Sequence, residues 1–513
     1  MRAVTRKRIS SFTRAESGSV AINFGLTIIP IIFMVGSAVD YSNAVRARAN
    51  LQVATDSTAL ALGQKGMDQS ESQLFAAAKA FLGAVADDSA ASIVSAEKLN
   101  MGGNSSKICV TAQTRTETAF MKLAGYEYVT VQSNSCVTSG SANFEIAMVL
   151  DTSGSMNNGA GGSSKIAALR TAGQNFVDYM YGPKMNGAGM KISVVPFSWG
   201  VAVDPGQYRG ASWVDTNGAS SLHWAGYTGQ TGLATSRFDL FNWMKAKKSS
   251  WDWAGCFESL PFPLNVQEDG PIAGNPDSYM VPSLWPDEPD DWKYVNSYLS
   301  DNKGVCTTNA SNDAQRQSRV CKYKNATTLS SYGPNLACSS QPLMRLSNNK
   351  NDLKTYIGNL DADGNTNIHE GVTWGWRTLS PKSVFAEGKE YEALDNRKVL
   401  VVMTDGMNTW GAINNDLNRS YYSAYGFFTS TDGTGRNPRL PPNKIDGGAL
   451  PNPTSNATGR AAMDDLTRRS CQNARNAGIV IYTIGFTTQG DPIDAAGKQL
   501  LKDCAGDPAR YYE

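Results

Sequence analysis

The sequence predicts an α/β protein in which a parallel sheet with crossover helices follows a membrane helix and a small helix-and-strand module. Three observations predict this order. An uncharged apolar run lies near the N-terminus, helical and strand-like segments follow it, and apolar strands alternate with amphipathic helices from residue 144 onward. A chain of 513 residues is long enough for about two to four domains.

Charge and cysteine spacing exclude two classes of function. A net charge of +1 and a charged fraction of 18% do not provide the basic surface that nucleic-acid binding needs. Eight cysteines without a C-x-x-C pair, and only two histidines, argue against a zinc site. They favour disulfides in an oxidising compartment, with intracellular free thiols as the alternative. Sequence order suggests the pairs Cys109–Cys136, Cys256–Cys338, Cys306–Cys321 and Cys471–Cys504.

The N-terminal residues predict a single-pass membrane anchor. A basic segment, residues 1–18, precedes an uncharged stretch, residues 19–39, which spans about 31 Å as a helix and so matches one bilayer. Because Lys and Arg remain on the cytoplasmic side, we expect the N-terminus inside and the residues after Asp40 outside. A cleaved signal peptide is the alternative, since Gly36-Ser37-Ala38 offers small residues at cleavage positions.

Residues 40–138 are predicted to form a helical stalk and a small α+β module. Small or apolar residues recur at a spacing of three and four from Ala44 to Ala61, which indicates that the membrane helix continues outward. A second helix is expected at residues 72–85, and strands at 107–111 and 128–132. The Ser-, Asn- and Gly-rich stretch 133–143 is interpreted as a linker, with the domain boundary at residues 139–143.

Residues 144–513 carry the pattern of the parallel sheet. Strands are predicted at 144–150, 191–197, 398–404 and 479–486, and helices at 165–180, 352–360, 368–379, 460–477 and 492–504. Insertions at about 199–346 and 410–458 interrupt this rhythm, and loops of this length are either functional or folded sub-domains. The first insertion holds eight of the eleven tryptophans. We expect them to fill a disulfide-stapled core, the alternative being an exposed patch that binds a partner.

A candidate metal site begins where the first strand of this sheet ends, at Asp151-Thr152-Ser153-Gly154-Ser155. Ligands of open α/β sheets bind at the carboxyl ends of the strands. A carboxylate and two hydroxyls at alternate positions, with a glycine that permits a sharp turn, can direct three oxygens to one point, as Mg²⁺ requires. In isolation the pentad is also typical of a turn or helix cap.

Two further residues strengthen this prediction because they are expected at the same edge. Thr366 precedes a helix, and Asp405 follows the strand predicted at 398–404. Residues 361–365 resemble the start of an EF-hand loop, but the glycine comes two positions early and Val372 stands where the terminal Glu belongs. We therefore interpret residues 361–365 as the loop that presents Thr366.

These three segments resemble the metal-ion-dependent adhesion site of von Willebrand factor A domains. The resemblance implies a Rossmann-like, doubly wound, mostly parallel sheet over residues 144–513. It also implies that Ser153, Ser155 and Thr366 bind Mg²⁺ (or Mn²⁺ or Ca²⁺) directly, while Asp151 and Asp405 hold the cation through water. In that family a carboxylate of the partner completes the coordination of the metal.

The whole chain resembles the TadG-like proteins of bacterial tight-adherence (Flp) pilus systems, which combine a membrane helix, a pilin-like TadE/TadG-type module and a split von Willebrand A domain. The segments that carry this resemblance are Gly18-Ser-Val-Ala-Ile-Asn-Phe-Gly-Leu, Leu51-Gln-Val-Ala-Thr-Asp-Ser-Thr-Ala-Leu-Ala, Trp253-Ala-Gly-Cys-Phe-Glu and Thr373-Trp-Gly-Trp-Arg. It implies an inner-membrane protein with its bulk in the periplasm or at the cell surface. Related pseudopilins are cleaved at a Gly with a Glu five residues later; here Asn23 follows Gly18 at that distance.

Three hypotheses of function follow. The first is a pilus-assembly or adhesion protein that binds an acidic protein partner, or other pilus-assembly components, through the metal site. The second is a structural pseudopilin-like scaffold in which the metal only stabilises the fold. The third is a metal-dependent phosphatase, which we disfavour because no nucleophile and base form a recognisable pair. His369 has no triad partner in the sequence, and we expect it to be a hydrogen-bonded structural residue.

Overall fold

The computed structural model of the chain describes residues 17–65, 69–86, 90–102, 105–140, 143–160, 162–182, 189–329, 332–393, 395–428, 435–488 and 490–513. The chain divides into two compact units, Met1–Ala142 and Asn143–Glu513. The basic segment predicted at residues 1–18 lies outside the described residues except for its last two.

One helix, α1, runs without interruption over Ser17–Lys65, 49 residues in all. The stretch from Ile22 is long and apolar enough to cross a membrane, and its large side chains, such as those of Ile29 and Met34, are exposed. Further along the helix, Leu51 and Leu62 are buried against the module that follows. The predicted continuation of the apolar helix into a stalk is therefore confirmed.

The rest of the first unit is one helix packed with α1 against an antiparallel sheet. Helix α2 covers Glu71–Val85, and the strands, in the order β1-β2-β3, are Ser92–Gly102, Ser105–Glu117 and Tyr128–Gly140. The prediction missed β1, and its assignment of residues 133–140 to a linker was wrong. Those residues form the second half of β3, pairing with β2 as far as Gly140.

The second unit is built on a six-stranded mixed sheet. Its strands are β4 (Asn143–Asp151), β5 (Met190–Phe197), β6 (Met344–Ser347), β7 (Asn396–Thr404), β8 (Val480–Gly485) and β9 (Tyr511–Tyr512). Across the sheet they stand in the order β9-β8-β7-β4-β5-β6. Five strands are parallel, and the edge strand β6 pairs antiparallel to β5. All four predicted strands are present, whereas β6 and β9 were not predicted.

Helices cover both faces of this sheet: α3 (Lys165–Met180), α4 (Lys350–Gly358), α5 (Ile368–Leu379), α6 (Asn456–Asn476) and α7 (Ala495–Ala505). Inward residues of α3 and α4 form one core with the even-numbered residues of β4, from Ile146 to Leu150. Helix α5 packs on the opposite face, against Ala147 and Val149. Every residue of α5 is buried. Glycine permits its close approach to the sheet, because a Cβ at Gly375 would lie 2.4 Å from a methyl carbon of Val149.

The insertions contain little regular structure. Their helices are short: Pro205–Tyr208, Arg237–Lys245 and Asp313–Ser318, with 3₁₀ turns between them. Seven of the eight tryptophans in the first insertion are buried or half-buried and pack in the hydrophobic cores, as expected. Trp292 differs, with 96% of its surface exposed.

Four disulfides connect Cys109–Cys136, Cys256–Cys338, Cys306–Cys321 and Cys471–Cys504. All four pairs suggested by sequence order are therefore confirmed. The first crosses directly between paired residues of β2 and β3, and the last joins α6 to α7. The second and third lie within the first insertion, where few hydrogen-bonded elements would otherwise restrict the chain.

Glu288, a fully buried carboxyl group in the first insertion, provides a test of pH-dependent stability. It accepts hydrogen bonds from the Asn296 N–H (2.6 Å) and from Nδ2 of Asn418 (2.9 Å). Burial raises its pKa from the ordinary 4.5 to about 7. Between pH 4.5 and about pH 7 the folded protein keeps a proton on Glu288 that the unfolded chain releases, so the free energy of unfolding falls as the pH rises through this window. At 1.36 kcal/mol per pKa unit, the total loss is about 3 kcal/mol.

We expect Glu288→Gln to remove this part of the pH dependence. The measurement is the free energy of urea unfolding of the wild type and the variant at about pH 5 and about pH 8. The change between the two pH values, compared between the two proteins, isolates the contribution of Glu288. If the free energy of unfolding changes with pH equally in the wild type and the variant, the Glu288 carboxyl group does not titrate in this window.

Candidate metal centre

The five predicted residues meet at the carboxyl edge of the sheet. Asp151 is the last residue of β4, and β7, its parallel neighbour, ends at Thr404, directly before Asp405. The register pairs Leu150 with Met403, which brings the two strand ends side by side. Thr366 reaches the same edge from the loop that precedes α5.

Three hydroxyls form a compact cluster at this edge. Oγ1 of Thr366 lies 2.9 Å from Oγ of Ser153, which in turn lies 3.1 Å from Oγ of Ser155. Ser155 then donates a hydrogen bond of 2.8 Å to Oδ1 of Asp405. The cluster is thus a continuous chain of oxygens that ends on a carboxylate.

These oxygen separations fit the coordination shell of a small hard cation. With Mg²⁺–O distances of 2.0–2.1 Å, adjacent ligands of an octahedron are about 2.9 Å apart. The Thr366–Ser153 and Ser153–Ser155 separations are close to that value. Neutral hydroxyls supply little charge, so the two nearby carboxylates would provide most of the charge that balances a divalent ion. Whether a cation binds here remains a prediction.

Asp151 is completely buried and tightly held. Its Oδ1 accepts the backbone N–H of Ser153 at 2.8 Å, and its Oδ2 accepts the Thr404 hydroxyl at 2.5 Å. Burial and, after it, the negative charge of Asp405 raise the pKa of Asp151 from 3.8 to about 7. Two carboxyl groups therefore share a site in which ionising both is costly, and a nearby cation would lower that cost.

Two charged residues that the sequence analysis did not select belong to the site. The Lys165 ammonium, at the first residue of α3, lies 2.7 Å from Oδ2 of Asp405 and 2.6 Å from Oδ2 of Asp491, and its side chain is fully buried. Asp491, in the connection between β8 and α7, also accepts a hydrogen bond from Asn158. A lysine at a helix start and an aspartate in a loop carry no local pattern that distinguishes them from solvated residues.

The loops that present these side chains are held to one another by the backbone. The N–H of Gly154 donates to the carbonyl of Gly364 (2.8 Å), and the N–H of Asp363 donates to that of Thr152 (2.9 Å). Gly364 adopts φ +86°, a left-handed conformation that favours glycine. The loop at 361–365 therefore docks on the end of β4 and presents Thr366, as predicted.

A cleft of about 170 Å³ opens beside the hydroxyl cluster. Its lining includes Ser155, Thr366 and Asp405 together with Thr409 and the segment from Asp491 to Asp494. An external group could therefore approach the cluster from the side of Ser155. Within the described part of the chain, no group of three or more His, Cys, Asp or Glu side chains is arranged to hold a metal ion.

His369 has the structural role that was expected. Its ring nitrogens lie 2.8 Å from the Tyr425 hydroxyl and 2.8 Å from the Asn265 carbonyl oxygen, and the side chain is buried. Burial lowers its pKa, so the ring is neutral near pH 7. Both nitrogens are occupied by these contacts, which leaves none available to act on a bound molecule.

Comparison with solved structures finds pilus proteins at low similarity. The pilus adhesin SpaC from Lactobacillus rhamnosus GG aligns over 83% of this chain and 32% of its own length, at 11% identity and a TM-score of 0.30. The vWF domain of the type V pili tip protein Mfa5 from Porphyromonas gingivalis aligns over 73% of this chain and 90% of its own length, at 12% identity and a TM-score of 0.29. The pilus adhesin RrgA from Streptococcus pneumoniae aligns over 82% of this chain and 46% of its own length, at 12% identity and a TM-score of 0.32.

Sequence comparison finds a family match for the N-terminal part of the chain. A search of curated proteins finds no match. The family model of Tad, described as Flp pilus-assembly TadE/G-like, matches residues 18–64, which in the structure belong to α1. The predicted resemblance to TadG-like proteins is confirmed for these residues, which are similar to the TadE/G-like family of Flp pilus assembly.

Proposed function

We propose that this protein is a membrane-anchored pilus-assembly or adhesion protein with a von Willebrand A-type domain, which binds an acidic protein partner through a divalent cation. The observation that carries the proposal is the hydroxyl cluster of Ser153, Ser155 and Thr366 between two carboxylates. Hydroxyl ligands leave a bound Mg²⁺ electron-poor, so a carboxylate from a partner gains a strong contact.

The membrane anchor and the family match support the cellular part of the proposal. Helix α1 contains the matched residues 18–64, and its apolar stretch continues without a break into the pilin-like module. In this proposal the N-terminus lies in the cytoplasm, and both folded units lie in the periplasm or at the cell surface. The partner is then an acidic surface protein or another component of the pilus system.

The test compares Thr366→Ala with Thr409→Ala. Both threonines line the same cleft, but only Thr366 is part of the hydroxyl cluster, since Thr409 Oγ1 bonds to the Met407 carbonyl. Calorimetric titration of the full chain with Mg²⁺ should show an affinity at least about tenfold lower for Thr366→Ala, which corresponds to 1.4 kcal/mol. Cells that carry this variant should also lose EDTA-sensitive adhesion, whereas Thr409→Ala should retain both properties.

The outcomes separate the hypotheses. Unchanged Mg²⁺ affinity in Thr366→Ala would contradict the metal centre. Lost Mg²⁺ binding with normal adhesion and pilus assembly would favour the structural scaffold, in which the metal only stabilises the fold. Hydrolysis of p-nitrophenyl phosphate that Asp151→Asn abolishes would instead identify a phosphatase and overturn both.

A further inference from the structure

We propose that the turn between β2 and β3, residues 118–127, inserts into the headgroup region of the membrane that α1 crosses. We call these residues the hairpin tip. The inference rests on the proposed membrane anchor and adds a second membrane contact on the side of the bilayer where the folded units lie. Its partner is the lipid bilayer itself.

The hairpin tip is attached to α1 at the end of the apolar run. The carboxylate of Asp40 accepts the backbone N–H groups of Ala119, Phe120 and Met121 at 2.9, 2.9 and 2.7 Å. Asp40 is buried by this contact. One carboxylate with three backbone donors holds the tip at a defined level of the helix.

The Phe120 ring reaches further, into the apolar run itself. A Cβ on Gly36 would lie only 2.1 Å from this ring, so the ring packs directly against the glycine backbone. Gly36 precedes Asp40 by four residues, or about 6 Å along the helix axis. A side chain at that level lies within the depth of about 5–10 Å at which interfacial segments bury their apolar faces.

Three exposed residues of the tip are of types that membrane interfaces favour, namely Lys122, Leu123 and Tyr126. Leu123 is 81% exposed and Tyr126 is 62% exposed, although both are large and largely apolar. Lys122, between Met121 and Leu123, is also exposed and can extend its ammonium towards lipid phosphates. Tyrosine is enriched where membranes meet water because its ring is apolar and its hydroxyl is polar.

The position of this patch favours lipid over a protein partner. The tip is attached at Asp40 and Gly36, and Val35 and Val39, next to them on the helix, are themselves exposed. A bilayer that surrounds these two valines extends to the point where the tip is attached, and in this proposal the same bilayer covers Leu123 and Tyr126.

The chain allows this contact to be measured with single probes, because its eight cysteines are all disulfide-bonded. Three variants of the full chain, Ile29→Cys, Leu123→Cys and Leu99→Cys, each receive an environment-sensitive NBD fluorophore and are reconstituted in phosphatidylcholine vesicles. Ile29 reports the anchor, and all three native side chains are exposed. Leu99 lies at the opposite end of the same sheet, about 33 Å from the tip at 3.3 Å per residue.

We expect lipids with a nitroxide on the acyl chain to quench the probes at 29 and 123 several-fold more strongly than the probe at 99, and aqueous iodide to show the reverse order. If position 29 is quenched by lipid and position 123 behaves like position 99, this inference is wrong and the anchor stands. If position 29 is not quenched by lipid, the anchor itself is wrong. A probe at 123 that neither quencher reaches would indicate burial against a second copy of the chain, which also overturns the inference.

Discussion

Replacing Lys165 by Met is expected to lower the unfolding free energy of the metal-free protein by about 3–5 kcal/mol, the loss measured when one partner of a buried ion pair is removed. Methionine retains most of the side-chain volume but not the ammonium. Asp405, whose side chain is as completely buried as that of Lys165, would then lose its compensating charge at 2.7 Å. Asp491 would lose its contact at 2.6 Å, but it is partly exposed and can be solvated.

The same variant tests the metal centre. A divalent ion at the hydroxyl cluster would replace some of the positive charge that Lys165 supplies, so Mg²⁺ should stabilise Lys165→Met by more than it stabilises the wild type. For scale, a ligand at 100 times its dissociation constant adds about 2.7 kcal/mol. Urea unfolding with Mg²⁺ and with EDTA measures both quantities.

Lys354→Met is the matched control. Lys354 pairs with Asp178 at 2.6 Å, but both side chains are partly exposed, so the substitution should cost less than about 1 kcal/mol and should not respond to Mg²⁺. Two results would contradict the argument: equal losses in the two variants, or an equal gain from Mg²⁺ in Lys165→Met and the wild type.

The sequence could predict those residues of the candidate site that stand beside a recognisable local pattern, such as the end of an apolar run or the start of a helix. Asp151 and Asp405 follow apolar runs, and the buried strands β4 and β7 end where those runs end. Thr366 was recognised because a loop precedes a helix there. Lys165 and Asp491 could not be found in this way, since they reach the site only through the packing of α3 and of the β8–α7 connection.

The difference between local sequence patterns and contacts made by packing also explains the errors in the predicted fold. Strand β1 has the sequence Ser-Ile-Val-Ser-Ala-Glu-Lys-Leu-Asn-Met-Gly, in which charged and polar residues interrupt the alternation that predicts strands. Residues 133–140 are rich in Ser and Thr and resemble a linker, yet they pair with β2 along their whole length. Pairing across a sheet supplies hydrogen bonds that composition does not show.

The insertions were the least predictable part because contacts between distant residues hold them together. Glu258 joins three such residues at once. Its Oε1 accepts hydrogen bonds from Arg237 (2.7 Å) and from the Tyr422 hydroxyl, and its Oε2 accepts one from Arg439. Arg237 belongs to the first insertion, and Tyr422 and Arg439 to the second, so one carboxylate connects the two.

Glu258→Ala should therefore destabilise the protein strongly. Breaking a single buried ion pair costs about 3–5 kcal/mol, and here two guanidinium groups, both at least 95% buried, lose the same partner and repel each other. We expect a loss at the upper end of this range or above it. Urea unfolding of the disulfide-intact protein measures the loss, and limited proteolysis should show earlier cleavage within residues 410–458.

Two substitutions serve as controls for this prediction. Asp252→Ala removes the partner of Arg209 and Lys245 in the same insertion, but all three side chains are partly exposed, so the loss should be about 1 kcal/mol or less. Glu258→Gln keeps the volume and one acceptor oxygen, and should fall between the two. A Glu258→Ala protein within about 1 kcal/mol of the wild type would mean that water, rather than the carboxylate, compensates the arginines. The two insertions would then be held together by aromatic packing and by the remaining hydrogen bonds between them, such as the one from Asn418 to Glu288.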